Sequence, residues 1–364
     1  MARLLPELGV SNREDYEHCP VYWYNAQLVG SKGWGIVPLE EAADTGFGTI
    51  GHKGLQIWYE NLRQKKSFVE ASALAIEGMK TLRQEKFASW CDQQNVSPDS
   101  FDDPHFILLL VEAFMKGYEK FYADDAEFEI LATEWDFNLP AVDFYPHSSL
   151  THANWHWGVS PSDMPNIRGT VDLILRDSRG IILMDHKFHK FIDTDLESKM
   201  SYWKQPLVYA RAVETSWGEP IVGYLHNQIR KPVGLKPRLN KDTQTYESMD
   251  DFLERLSKEY VSFPDYTLAY PDRKKGYFFR SQLLRPVTDE RFWDELACLD
   301  AEMVVIREEL PAEVPMQPPP PVLHRRSPSA CRKYGKPCKY EDLCKYGYTP
   351  LTLENYAERS DPHP

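Results

Sequence analysis

Two short apolar runs, each interrupted by an acid, lie in neighbouring segments, RGTVDLIL (168–175) and GIILMDHKF (180–188), on either side of a short polar turn. Short apolar runs with turn residues between read as a pair of strands joined in a hairpin. EFEILATEWDF (127–137) and PIVGYLHNQI (220–229) read as further strands. Elsewhere the apolar spacing is helical. Residues 11–29 predict a helix, with Ser11 as N-cap and Glu14 completing a capping box. Residues 49–90 predict one or two helices, and 101–122, 196–215, 252–262 and 289–309 one each. The run PAEVPMQPPPPV is extended and not helical. Helices first, then a strand-rich centre, indicate an α/β fold with a helical insertion. No internal repeat is present.

With 364 residues, 42% of them hydrophobic, the chain can bury a large core. No apolar run approaches the ~18 residues of a membrane span, and the N-terminus lacks the apolar core of a secretory signal. A soluble, intracellular protein is expected. The net charge of −13 excludes a general nucleic-acid coat, since phosphate binding wants Lys and Arg. Yet two stretches are locally basic. IRKPVGLKPRLNK (229–241) contains Arg230, Lys231, Lys236 and Arg238, and DRKKGYFFRSQLLR (272–285) contains Lys274, Lys275 and Arg280 among aromatics. Basic residues interleaved with aromatics suit single-stranded nucleic acid, although either stretch alone would also serve as a solvated surface.

The hairpin holds the candidate chemistry. If its turn is tight, Arg176 pairs with Ile181 and Asp172 falls opposite Asp185, with Lys187 on the same face. Opposed Cβ atoms are about 4.5–5.5 Å apart, and like charges so placed repel. Two carboxylates in an apolar sheet then want a cation, and a hard divalent ion with oxygen ligands answers that demand. The same residues would also serve as strand ends reaching water, with Lys187 as ion-pair partner.

Cys91 and Cys298 lie in apolar helical patterns and read as core. Cys331, Cys338 and Cys344 cluster in a loop-like segment rich in Gly, Pro and Lys, which suggests a metal site, with Cys19 the remaining candidate for a fourth ligand. Thiolates from opposite ends of the chain meet only if the N-terminal helix packs beside the C-terminal loop.

The order Asp172, then Asp185-His186-Lys187, resembles the PD-(D/E)xK nuclease superfamily. The surroundings resemble its RecB-type exonuclease branch, which includes phage and CRISPR-associated members. FGTIGHKGLQ supplies that branch's helical His (His52), LATEWDF its strand Glu (Glu134), and QPLVYA its Gln-x-x-x-Tyr (Gln205, Tyr209). Cys19-Pro20 with the three later cysteines is similar to the four-cysteine iron–sulfur members, though the spacing C-x6-C-x5-C is wider between the first two than is usual there. The match spans residues 19–344 in order.

The resemblance implies a restriction-endonuclease-like core over 1–310, a connector at 311–321, a Cys-rich iron–sulfur segment at 322–350 packing on the N-terminal helix, and a tail at 351–364. It implies Mg²⁺ or Mn²⁺ held by His52, Asp172, Asp185 and the main-chain carbonyl of His186, with Lys187, Glu134, Gln205 and Tyr209 completing the catalytic set. It implies a [4Fe–4S] cluster on Cys19, Cys331, Cys338 and Cys344; zinc on these, or on His324 in place of Cys19, is the alternative. The expected activity is exonucleolytic cleavage of DNA at single-stranded ends, in recombination, repair or phage DNA processing, with single-stranded or duplex DNA ends as partner, in the cytoplasm of a bacterial or phage-infected cell. No helicase phosphate loop is present, so unwinding would need a partner. A non-catalytic DNA-end-binding component and a site-specific endonuclease are the rival readings.

Overall fold

The computed structural model describes residues 9–29, 35–38, 47–94, 104–189, 192, 204–231, 238–239, 244–262, 276–284, 290–310, 314, 316–320, 323, 331–333 and 336–358. Its strands in chain order are β1 (Ile36–Pro38), β2 (Glu129–Leu139), β3 (Ile167–Asp177), β4 (Gly180–His189), β5 (Ile221–Arg230), β6 (Phe278–Leu284), β7 (Arg332–Lys333), β8 (Lys336–Pro337) and β9 (Tyr356–Glu358). The chain folds as two compact units, one of residues 45–136 and 170–286, the other of 1–44, 137–169 and 287–364.

A five-stranded sheet of order β2-β3-β4-β5-β6 organises the first of these. β3–β4 and β5–β6 are antiparallel, and β4–β5 is parallel. The parallel step needs a crossover, and the helix Lys204–Trp217 lies within it. This is the mixed α/β architecture the sequence predicts. One sheet face presents Leu173, Leu175, Ile182, Met184, Leu225 and Ile229 to the helices Phe47–Arg63, Phe68–Gln94 and Pro104–Phe121. The segment 49–90 is therefore two helices, parted near Lys65 in positive φ (62°). Gly51 lets the first of them sit close to β4: a Cβ there would lie 2.2 Å from the Phe188 ring. Glycine inside a helix costs about 0.5–1 kcal/mol relative to alanine, and here it admits an aromatic ring instead.

The other unit joins the two ends of the chain. Tyr16, Trp23 and Tyr24 pack in one core with Met303, Ile306, Tyr340, Leu343 and Tyr356, and β1 pairs with β9. Arg13 makes a bidentate pair with Asp300 at 2.7 and 2.8 Å, both side chains fully buried. The single helix expected over 11–29 is two, Val10–His18 and Pro20–Gln27, because Pro20 has no N–H to give and disfavours helical backbone at Cys19, which is extended (φ −166°, ψ 118°). The first begins after Gly9 and has no side-chain cap, so Ser11 lies inside its first turn and the expected capping box does not form. Among the described residues no helix is long and apolar enough to cross a membrane.

Candidate active site

β3 and β4 pair through their main chains from Asp177↔Gly180 to Leu173↔Met184, with Arg176 opposite Ile181. One step further, the same register sets Asp172 level with Asp185. There a side chain takes over the ladder: the His186 N–H donates to Asp172 Oδ2 at 2.7 Å. The carboxylate thereby replaces a main-chain acceptor and is held in place.

Around Asp172 gather His52, from the Phe47–Arg63 helix, and Glu134, from β2. His52 Nδ1 is 3.6 Å from Asp172 Oδ2. Ligand atoms of His52, Glu134 and Asp172 all lie within 4.8 Å of one another, the one such group of three or more His, Cys, Asp or Glu among the described residues. Glu134 is thus a potential ligand in its own right. Its φ is +45° in the middle of a strand, a left-handed backbone that costs about 1–3 kcal/mol and persists only where the surroundings impose it.

Asp185 lies beside this group and is more enclosed, with 2% of its side chain exposed. Its Oδ1 accepts from Lys187 Nζ at 2.9 Å and from Gln205 Nε2 at 3.2 Å, and Gln205 also donates to the Tyr209 hydroxyl at 3.1 Å. The helix bearing this pair begins at Lys204, so Pro206 sits in its first turn, where a missing N–H breaks no helical bond. β5 adds two residues that the sequence reading missed. His226 is the cross-strand partner of Asp185, its Nδ1 3.6 Å from Asp185 Oδ2, and the Tyr224 hydroxyl adjoins the same carboxylate.

The electrostatics follow from burial and crowding. Burial and the charge of Asp185 raise Asp172 well above the carboxylate range. Burial and Asp172 push Glu134 up to about 8. Burial and the Lys187 charge lower His52 to about 4, so its imidazole is neutral and offers a lone pair. Burial alone would deprotonate Lys187 more readily, but Asp185 and Asp172 outweigh it and the ammonium is held above its ordinary range. Two carboxylates whose affinity for protons is raised by burial and by neighbouring carboxylates, a neutral imidazole and a fixed cation fit a divalent ion that would displace the protons.

The His186 ring turns to the opposite sheet face from Asp185 and Lys187. It stacks on Tyr59, centroids 5.6 Å apart, and its Nδ1 meets Asn227 Nδ2 at 2.9 Å. Asn227 continues to the Tyr118 and Tyr122 hydroxyls, both at 2.8 Å, and Tyr118 to Tyr59 at 2.8 Å. Burial holds the ring neutral. The side chain is an anchor for β4.

Arg280 departs from the DNA-contact role expected of it. Its guanidinium pairs with Asp125 at 2.6 Å, lies 3.8 Å from the centroid of the Tyr122 ring, and reaches the Tyr59 and Tyr118 hydroxyls. Alternation along β6 turns it inward, where Asp125 needs a counter-charge. Arg230 is half-buried over Tyr277, whereas the Arg238 side chain is 70% exposed and Lys231 is half-exposed. Lys236, Lys274, Lys275 and His324 lie outside the described residues.

Cys19, Cys331, Cys338 and Cys344 line a single cavity of about 170 Å³, with Tyr22 and Tyr340 among its other walls. Cys344 packs against the small core of Cys19 and Val21. No three of the sulfurs lie within 4.8 Å of one another.

No curated protein matches the sequence. The family model described as the PD-(D/E)XK nuclease superfamily matches residues 7–345, and with it come a mixed sheet of the restriction-endonuclease-like kind and nuclease chemistry dependent on a divalent metal. On its sheet, its paired aspartates and nearly its whole length, the chain belongs to the PD-(D/E)XK nuclease superfamily.

Proposed function

We propose that the chain is a metal-dependent DNA exonuclease acting on single-stranded ends. What carries this reading is the placement of the His52–Glu134–Asp172 group beside the Asp185–Lys187 pair on the adjoining strand. His52, Asp172, Glu134 and Asp185 would hold Mg²⁺ or Mn²⁺, which when bound lowers the pKa of water and polarises the scissile phosphate. Lys187, permanently charged and fixed by Asp185, stabilises negative charge developing on the phosphate. Gln205 orients Asp185 and is itself oriented by Tyr209. His226, whose imidazole burial keeps neutral, and the Tyr224 hydroxyl lie against the inner side of Asp185. Lys231 and Arg238 supply phosphate contacts, which position a strand without reading its sequence.

The cysteine cavity is read as a [4Fe–4S] site that ties the chain's ends and takes no part in cleavage. A single zinc would draw four sulfurs to about 2.3 Å from the ion, hence under ~4 Å from one another. No three of the sulfurs are mutually that close, and four cysteines around one cavity with long, irregular sequence spacing support a cluster over a lone ion.

The test is incubation with end-labelled linear and with circular single-stranded DNA in Mg²⁺, Mn²⁺ or EDTA. Metal-dependent release of nucleotides from the linear strand alone is expected. Cleavage of the circle would replace the exonuclease with an endonuclease, and no cleavage in any metal would leave a DNA-end-binding component.

A further inference from the structure

The helix His147–Trp157 turns Ser149, Leu150 and Ala153 inward. On its outer side Trp155 is 77% exposed and Trp157 39%. Indole rings gain more from burial than almost any side chain, so two left in water two residues apart call for a partner. Trp155 also stands in a group of flat rings. Its centroid is 4.5 Å from that of His156 and 6.5 Å from that of His152, and the two histidines are 4.5 Å apart.

The composition of this face narrows what it meets. A surface for a partner helix or a membrane carries an apolar stripe at three- and four-residue spacing, but every aliphatic side chain of this helix points inward and its exposed indoles are two residues apart. Rings and small hydrogen-bonding groups such as Thr151 and Asn154 fill the exposed positions. Charge points the same way. No Asp or Glu occurs between Asp143 and Asp163, in a chain whose net charge is −13. An anionic strand can approach here without meeting a carboxylate on the helix.

We propose that this helix is a stacking platform for the bases of single-stranded DNA, with Trp155 as its principal ring. The proposal rests on the nuclease reading above and adds the means by which an unpaired strand is gripped. Every base has a π-face, so such a grip tolerates any sequence, as an exonuclease needs. Stacking displaces no phosphate counterions, so its loss leaves the salt dependence of binding unchanged, whereas the loss of a phosphate contact flattens it.

The test is binding of fluorescein-labelled oligo(dT) by anisotropy, in EDTA so that the strand is not cut, over a series of salt concentrations. Trp155→Ala is expected to weaken binding on the order of tenfold, with an unchanged slope of log affinity against log salt and an unchanged melting temperature. Trp155→Phe, which keeps a ring, should retain most of the affinity. If the wild type binds oligo(dT) and Trp155→Ala binds it equally well, the platform is overturned while the nuclease reading stands. If the wild type cuts duplex ends yet does not bind oligo(dT), both the single-stranded substrate and the platform fall. A loss accompanied by a flatter salt slope would mean that a phosphate contact was disturbed, and would overturn stacking.

Discussion

The main-chain N–H of His186 donates to the Asp172 carboxylate across the β3–β4 hairpin at 2.7 Å. His186 stands between Asp185 and Lys187, so this one bond fixes the position of the first aspartate relative to the second and to the lysine. Asp172→Asn keeps an oxygen to accept that bond but removes the charge. Cleavage should fall to background, while the metal-free protein melts at an equal or higher temperature because a buried repulsion is gone. Lys187→Ala should lower kcat by about 10²–10³-fold with a much smaller effect on metal affinity. Full activity in Asp172→Asn would sink the assignment.

Stability should depend on pH with a definite sign. Glu134 is pushed up to about 8 and Asp172 is raised, so the metal-free fold holds protons that an unfolded chain releases. Their contribution is complete below the ordinary carboxylate range and is lost as pH rises through the raised values. In EDTA the melting temperature should therefore fall from about pH 4 to about pH 8 and level off above that. Glu134→Gln should flatten that fall, and an identical profile in the variant would contradict it. Metal should bind more tightly as pH rises over the same interval, because protons leave as it enters.

Behind the sheet, Asn227 meets the His186 ring and two tyrosine hydroxyls. Asn227→Ala leaves those buried groups without their partner, at about 1–3 kcal/mol. Because the same network holds β4 in place, metal affinity should drop about 10–100-fold as well. Calorimetric titration with Mn²⁺ separates the two effects. A variant that is destabilised but binds Mn²⁺ normally would confine the network to folding.

Protein purified without oxygen should be brown, and Cys338→Ser should bleach it and lower its melting temperature, since the ends of the chain lose their tie. Nuclease activity should fall less than colour. Colourless protein with stoichiometric zinc would replace the cluster by the single ion, and protein holding neither metal would end the proposal.

The hairpin was legible because a tight turn between two short apolar runs leaves one register, and that register alone set Asp172 level with Asp185. His52 and the Gln205–Tyr209 pair were found through resemblance, since a lone His on a helix carries no signal of its own. His226 and Tyr224 were missed because β5 is buried along nearly its whole length, and a strand covered on both faces reads as a continuous run without marking its functional side. The strained backbone of Glu134 has no signature in LATEWDF, because the sheet around it imposes the conformation. Arg280 was misplaced for a related reason: charge along a sequence says nothing of which sheet face receives it. The break at Cys19-Pro20 was there to be read, but helical periodicity on both sides concealed it.

Gly51 and Phe188 have a bearing on how this enzyme can change. The ring occupies the space that a side chain at 51 would need, one residue from His52 on the helix and one from Lys187 on the strand. The two positions therefore behave as a single lock. A methyl group at 51 would push the helix off β4 and move His52 and Lys187 apart, so Gly51→Ala should resemble a lesion at the proposed metal site although it replaces none of that site's residues. A smaller residue at 188 would make room for it, so substitutions at these two positions are tolerated only in compensating pairs.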